Sequence, residues 1–379
     1  MIYRDFQDEK LSAYAMGCMR LPVIDGEEGK IDEAAATEMV DYALAHGVNY
    51  FDTAWGYHNG TSELVMGRAL ARHPRASFNL ADKFPGYDVS SFGKTPEIFE
   101  KQLEKCQVEH FDFYLAHNIC ELNIEQYLDD AKYGTISYLK EQKAAGRIRH
   151  LGFSIHGSYE VLERFLKVYG ECMEFCQVQL NYLDWEFQDA KAKVELLSSY
   201  GIPVWVMEPV RGGQLVSKLP EAAEAALRAV NPDESNVSWA LRWLLDLPQV
   251  VTILSGASSL EQMKENIAIF DAAKPLSDAE RAAVAEAARA ITAGSVLPCT
   301  ACRYCTSHCP LGLDIPRLLE LYNEHKVTGG GFIAPMAVGV MPEDKRPQAC
   351  IGCGSCSAVC PQQIDIPAAL ADFAELLGK

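Results

Sequence analysis

The chain has 379 residues, 49% hydrophobic and 23% charged, with 52 acidic against 34 basic side chains and a formal net charge of −18. That length exceeds one ordinary domain and suits a large barrel plus a small module, with enough apolar material for a core that needs no staples. The acidic excess argues against nucleic acid or an anionic membrane as partner, since both call for surplus Lys and Arg. No apolar run reaches the roughly 18–20 residues of a membrane helix. The opening MIYRDFQDEKLSAYAMG carries acids and lacks the apolar stretch of a secretory signal. A cytoplasmic location is expected.

In chain order, short β-branched apolar runs alternate with amphipathic helical stretches. The strand candidates are Met16–Leu21, Val48–Ala54, Phe78–Phe84, Phe111–His117, Ile148–Ser154, Cys176–Tyr182, Ile202–Glu208 and Val250–Ser255. Helical patterns lie between them, such as Asp32–His46, stopped by Gly47, and 134–145, stopped by Gly146. Eight strands at a spacing of roughly 20–45 residues predict an α/β fold, a (β/α)8 TIM barrel over residues 1–272. The competitor, an open doubly wound sheet, would want a G-x-G-x-x-G after its first strand, and none is present. Residues 273–294 read as a helical linker: Leu276–Ile291 is alanine-rich, with Ser277 at the N-cap and Glu280 three residues on. Residues 295–379 form a second, small, mainly α-helical domain, in which Val327–Val340, with its Gly329-Gly330-Gly331 run, reads as a loop between two halves.

Eight of the 13 cysteines lie in that second domain. They fall into two motifs, Cys299-x2-Cys302-x2-Cys305-x3-Cys309-Pro310 and Cys350-x2-Cys353-x2-Cys356-x3-Cys360-Pro361. In a reducing compartment such clusters read as metal ligation. A C-x2-C-x2-C loop lets three thiolates converge on one iron–sulfur cluster, and the fourth ligand comes from the distant motif. Cys299, Cys302, Cys305 and Cys360 are therefore assigned to one [4Fe–4S] cluster, and Cys350, Cys353, Cys356 and Cys309 to the other. Zinc would want C-x2–4-C pairs separated by a longer loop. The segments after the two motifs, CPLGLDIPRLLELYNEH and CPQQIDIPAALADFAELL, form an internal repeat, each with a helix after Asp-Ile-Pro. The region resembles the helical two-cluster ferredoxin modules, and two such clusters serve better as a wire than as a staple.

In the barrel, Asp52 (FDTAWGY), Tyr57, Lys83 (LADKF) and His117 (FYLAH) lie at or just after strand C-terminal ends, where barrel active sites sit. The set divides the labour of carbonyl reduction. Tyr57 would protonate the oxygen, Lys83 would lower the pKa of the phenol, Asp52 would hold the ammonium, and His117 would orient the carbonyl. Trp55 would wall the pocket.

Here the sequence resembles the aldo-keto reductases. DTAWGYHNGTSE, LADKF, FDFYLAH, LGFS, QLNY, EPVRGG and SGASSLEQMKEN occur in family order over roughly residues 1–272. The resemblance implies a (β/α)8 barrel, an NADPH or NADH cofactor bound without a Rossmann fold, and the four residues above as the catalytic tetrad. It also implies cofactor contacts. Ser154 and Gln179 fall at the nicotinamide carboxamide, and Met207 where many members stack a Tyr on the ring. The Pro209-Val210-Arg211-Gly212 loop reaches toward the pyrophosphate, while Glu265 and Asn266 match an adenine-contacting pair. Ile155 stands where an Asn is often found. Gln262 stands where members that prefer NADPH carry an Arg for the 2′-phosphate, a loss that Arg211 or Lys264 could offset.

The expected function is oxidoreduction of a small carbonyl or alcohol by hydride transfer, with the clusters relaying electrons to or from a redox partner protein. Nicotinamide gives two electrons together, whereas each cluster takes one. A flavin normally mediates such a split, and no flavin motif supports one here. Two alternatives stand beside this expectation: an ordinary carbonyl reductase with structural clusters, and a non-catalytic electron-transfer or docking subunit.

Overall fold

The structure, a computed structural model, describes residues 1–379 apart from Lys218, Ala273, Gly294, Ser295, Pro298, 300–302, Tyr304, Pro361 and Lys379. The chain divides into two compact units. One comprises Met1–Leu219 and Leu227–Ala285, the other Pro220–Ala226 and Glu286–Lys379.

The first unit opens with an antiparallel hairpin, β1 (Tyr3–Phe6) and β2 (Glu9–Ser12). Eight parallel strands follow: β3 (Tyr14–Gly17), β4 (Tyr50–Asp52), β5 (Asn79–Phe84), β6 (Phe111–Ile119), β7 (Ile148–Ile155), β8 (Cys176–Gln179), β9 (Val204–Met207) and β10 (Val250–Gly256). They close in the order β10-β3-β4-β5-β6-β7-β8-β9, so the barrel has no free edge. Inward side chains fill it: Phe6, Tyr50, Phe113, Phe175 and Trp205 pack together, with Phe6 and Trp205 edge to face at 4.8 Å. The hairpin thus supplies an aromatic side chain to the barrel interior, a role no periodicity in its short, polar strands announces. The first barrel strand runs Tyr14–Gly17 where Met16–Leu21 was expected, and it ends at Gly17 because Cys18–Arg20 turn into a 3-10 helix.

The Ser277–Glu280 capping box forms as expected. Glu280 Oε2 accepts from Ser277 N (2.8 Å) and Ser277 Oγ from Glu280 N (3.3 Å), opening the helix Asp278–Thr292 within which the division between the units falls.

In the second unit the two repeat helices, Ile315–Thr328 and Ile366–Leu377, each carry Pro in the first turn, where a missing N–H costs nothing. Their buried faces, Leu318, Leu319 and Tyr322 against Ile366, Leu370 and Phe373, share one apolar core with Cys305 and Cys356. The expected loop Val327–Val340 is corrected: it contains the helix Ile333–Gly339. Gly329, at φ +66°, ends the preceding helix, and Ala334, Ala337 and Val338 then recur at helical spacing and are buried. Among the described residues no helix is long and apolar enough to cross a membrane.

Candidate active site and cluster site

Asp52 ends β4, and the chain after it turns through a 3-10 segment, Tyr57–Gly60, in which His58 and Asn59 take positive φ (+51° and +55°). Buried His58 latches this turn: its Nε2 accepts from Leu21 N (3.1 Å) and its Nδ1 lies 2.8 Å from the Glu28 carbonyl. Tyr57 is thereby presented half-buried. Lys83 and Asp82 alternate on β5, whose six residues are all buried. The strand is pinned at Lys83 by Gln102, whose Nε2 donates to the Lys83 carbonyl (3.0 Å).

Lys83 is the hub. Its Nζ donates to Asp52 Oδ1 (2.5 Å), the Thr53 carbonyl (2.7 Å) and Tyr57 Oη (3.3 Å), so all three ammonium donors are used inside the barrel. His117, on β6, meets the Tyr57 ring edge to face at 6.2 Å. The Tyr127 hydroxyl donates to the His117 carbonyl (3.0 Å). The ring Nδ1 of His117 is buried without a hydrogen-bond partner among the described residues. The four expected tetrad residues therefore meet at one end of the barrel.

The electrostatics follow from burial and neighbours. Burial lowers the affinity of Lys83 for its proton, but Asp52 and the Tyr57 oxygen together raise it further, so the amine stays charged. Desolvation raises Asp52 above the usual carboxylate range, opposed by Lys83. Tyr57 differs from expectation. Lys83 does pull its pKa down, but desolvation outweighs it, and the phenol is pushed up to about 12. A neutral phenol at pH 7 is the protonated form a general acid requires. Burial, then Lys83, hold His117 well below its ordinary value, so its ring is neutral. The activity of the site is accordingly expected to be flat between about pH 6 and pH 8, with no limb near the ordinary histidine pKa. A kcat/KM profile with a clear inflection near pH 6.5 would contradict a neutral His117.

The sequence did not single out Gln177. Its Nε2 approaches Asp52 Oδ2 at 3.5 Å, the side of the carboxylate opposite Lys83. The signal was present, since Gln177 and Gln179 occupy alternate positions of β8 and so share the inward face. Trp55 is half-buried, with the Lys105 ammonium 3.9 Å from its ring centroid, an added cation–π contact. His156 is half-buried, and burial followed by Lys193 brings its pKa down to about 4.

Of the residues expected at the nicotinamide cofactor, Ser154, Gln179 and Met207 fall at or near the C-terminal ends of β7, β8 and β9, Pro209–Gly212 follow β9, and Gln262, Glu265 and Asn266 lie on the helix Leu260–Ala272 after β10. Ser154 is buried near the end of β7, its Oγ accepting from Asn118 N (2.7 Å). Gln179, closing β8, donates to Asp184 Oδ2 (2.9 Å), and Met207, closing β9, is half-buried. Pro209 and Val210 lead into a turn in which Arg211, Gly212 and Gly213 have positive φ (+52°, +61° and +92°). Gly212, with no side chain, is exposed. Arg211 is buried, with its Nε 3.1 Å from Asp184 Oδ1. Gln262 and Glu265 are exposed, and Gln262 Oε1 accepts from Ser258 N (2.8 Å). Asn266 is set differently from Glu265: it is buried, with its amide on Ser255 Oγ (3.3 Å).

In the second unit, Cys309, Cys350, Cys353 and Cys356 line one shallow hollow, walled by Leu311, Leu313, Ile315 and Leu370. Four cysteines from two distant motifs line it, the donor type and number that a [4Fe–4S] cluster takes, although among the described residues no three Cys, His, Asp or Glu side chains converge closely enough to hold a metal ion. Of the other set, Cys305 is buried, and Cys299 and Cys360 are half-buried against the same core. Cys302 lies outside the described residues. Asn323 ties down the approach to Cys299, its amide pairing with both the N–H (2.8 Å) and the carbonyl (3.0 Å) of Leu297. The remaining cysteines, Cys18, Cys106, Cys120, Cys172 and Cys176, sit buried or half-buried in the first unit.

Comparison with known proteins agrees with both halves. The model of the aldo/keto reductase family matches residues 15–289, and that of a 4Fe-4S dicluster domain matches residues 298–364. The chain is 27% identical over 289 residues to the uncharacterized oxidoreductase YqkF of Bacillus subtilis, covering 69% of this chain and 87% of that one. It is 24% identical over 326 residues to the NADH-specific methylglyoxal reductase of Escherichia coli, covering 75% and 97%. Among solved structures, the holo form of aldo-keto reductase AKR11C1 from Bacillus halodurans superposes with a TM-score of 0.62 at 27% identity, covering 76% of this chain and 97% of that one.

Proposed function

The chain belongs to the aldo/keto reductase family, and on that premise we propose that it transfers hydride between NADH and a small carbonyl or alcohol and that, when NADH is not spent on a carbonyl, its two clusters pass the NADH electrons one at a time to a redox partner protein. The observation that carries the reading is Lys83, held between Asp52 (2.5 Å) and Tyr57 (3.3 Å) beside a neutral His117, in a chain that also carries a thiol-lined hollow.

When bound, the nicotinamide supplies a hydride and the clusters supply or accept single electrons. The chain's own residues do the rest. Tyr57 donates its proton to the carbonyl oxygen as a C–H bond forms at the carbon, so an alcohol results and the phenolate left behind is stabilised by the Lys83 ammonium. Asp52, with Gln177 behind it, keeps that ammonium in place. His117 orients the substrate oxygen without taking a charge. Ser154 and Gln179 serve the carboxamide, Met207 the ring, the Pro209–Gly212 turn the pyrophosphate, and Gln262, Glu265 and Asn266 the adenosine end. Cys299, Cys302, Cys305 and Cys360 hold one cluster and Cys309, Cys350, Cys353 and Cys356 the other. In this reading residues 1–272 are the reductase, 273–294 a linker and 295–379 the cluster domain. A reducing compartment keeps such thiols available as ligands, which supports a cytoplasmic location.

NADH is favoured over NADPH because Gln262 carries no charge and Arg211, one of the two cations that would offset it, is buried on Asp184. A 2′-phosphate would meet an uncharged amide at Gln262. Steady-state oxidation of each nucleotide with a panel of small aldehydes tests this. The full chain is expected to turn over with a lower KM for NADH, and Gln262→Arg to shift the ratio of kcat/KM toward NADPH by about tenfold. Absence of turnover with every aldehyde and either nucleotide would contradict the reductase reading.

A further inference from the structure

The reductase site uses Lys83 but not its neighbour Asp82, whose carboxyl takes the opposite face of β5 and is fully buried. Glu63, in the first turn of the helix Ser62–Leu70, is fully buried as well. The two side chains are in hydrogen-bonding contact. Two carboxylates can only accept, so a hydrogen bond between them requires a proton on one of the pair. Their other contacts offer no substitute for it. Glu63 Oε2 accepts from Lys105 Nζ (2.6 Å), while its buried Oε1 has no donor among the described residues unless Asp82 supplies one. Asp82 Oδ1 accepts from Lys83 N (2.8 Å), and Oδ2 lies 3.7 Å from the weak donor Cys106 Sγ. Burial, and next the Glu63 charge, hold Asp82 well above the usual carboxylate range. One proton leaves the pair a single negative charge, which the Lys105 ammonium balances. The Lys83 ammonium is already spent on Asp52 (2.5 Å).

The pair joins the two halves of the acid–cation contact from behind. Glu63 stands on the helix that directly follows the Tyr57–Gly60 turn. Its partner Lys105 also lies 3.9 Å from the ring centroid of Trp55, two residues before Tyr57. Gly67, one turn along the same helix, lets it approach the helix Thr95–Cys106 so closely that a Cβ would overlap the Lys105 carbonyl. On the strand side, β4 ends at Asp52, opposite Ala81, and does not reach Lys83. The Lys83 N–H is held instead by Asp82, and its carbonyl by Gln102 Nε2 (3.0 Å). Moving either carboxyl therefore moves the segment of Tyr57 against the strand of Lys83.

We propose that Asp82 and Glu63 are positioning residues of the reductase site, sharing one proton that fastens the segment of Tyr57 to the strand of Lys83. The inference rests on the carbonyl-reduction reading and deepens it. Infrared difference spectra of the full chain at pH 7 read the proton directly, because a protonated carboxyl has a C=O stretch that carboxylates lack. That band is expected in the wild type and should lose the intensity of one group in Asp82→Asn and in Glu63→Gln. Equal bands in all three would overturn the shared proton. Steady-state reduction of a small aldehyde reads the positioning. Asp82→Ala is expected to lower kcat by about tenfold, counted per nucleotide-binding chain, with the KM for NADH unmoved. Asp82→Asn, whose amide donates to Glu63 and still accepts from Lys83 N, should restore it. A merely structural role would cost folded protein and leave kcat per binding chain at the wild-type value, and that result would overturn the positioning. The infrared variants are isosteric, so that arm stands even where Asp82→Ala does not fold. A wild-type chain that turns over no aldehyde would overturn the reductase reading and the positioning with it, while the infrared band still decides the shared proton.

Discussion

Tyr57→Phe is expected to lower kcat for carbonyl reduction by about 10²–10⁴-fold, some 3–5 kcal/mol of transition-state stabilisation. The substitution keeps the ring that packs under the Lys83 ammonium (4.8 Å to the centroid) and against His117, so what is lost is the proton. Nothing nearby replaces it. His117 is held well below its ordinary pKa and carries no extra proton at pH 7, and Lys83, though the loss of Tyr57 Oη frees one of its donors, is held so far above its ordinary pKa that it does not give up its proton. Nucleotide affinity, read from binding titrations, should change little, because the tyrosine acts on the carbonyl oxygen. A kcat near the wild-type value would remove Tyr57 as the acid.

The second large effect concerns iron. Cys309→Ala and Cys356→Ala should each remove about half of the bound iron. Because both thiols face the same hollow, the double variant should lose no more than either single one. Combining Cys309→Ala with Cys305→Ala should instead remove nearly all of it, since those two cysteines, only four residues apart in sequence, are assigned to different clusters. Iron analysis together with the low-temperature EPR of the reduced protein separates the outcomes. If the Cys309/Cys305 pair behaves as one site and the Cys309/Cys356 pair as two, the crossed assignment is wrong.

The sequence announced the features that are local or periodic. The strand-end positions of Asp52, Lys83 and His117 were legible because alternation along an apolar strand fixes which face a side chain takes. The capping box at Ser277 was legible because its two hydrogen bonds span only three residues. The features missed depend on contacts between distant segments. Phe6 fills the barrel interior from a hairpin too short and polar to show a period. Tyr87 packs on Gly56, thirty-one residues earlier, and against His117, thirty residues later. The helix Ile333–Gly339 was hidden by the glycines before it, which end one helix and do not prevent the next. The pKa of Tyr57 lies above its ordinary value, opposite to the sequence expectation, because a sequence shows the neighbouring charge of Lys83 but not the desolvation that outweighs it.

The central claim is that hydride electrons and cluster electrons belong to one circuit. One NADH releases two electrons and a proton, and two [4Fe–4S] clusters taking one electron each would account for both electrons. The direct measurement is anaerobic addition of NADH, and separately NADPH, to the purified full chain without any carbonyl, following the visible absorption of the clusters. The expected result is bleaching by NADH, which would also call for a search for bound flavin as the device that splits the pair. Unchanged absorption with both nucleotides, in a sample that dithionite still bleaches, would contradict the claim.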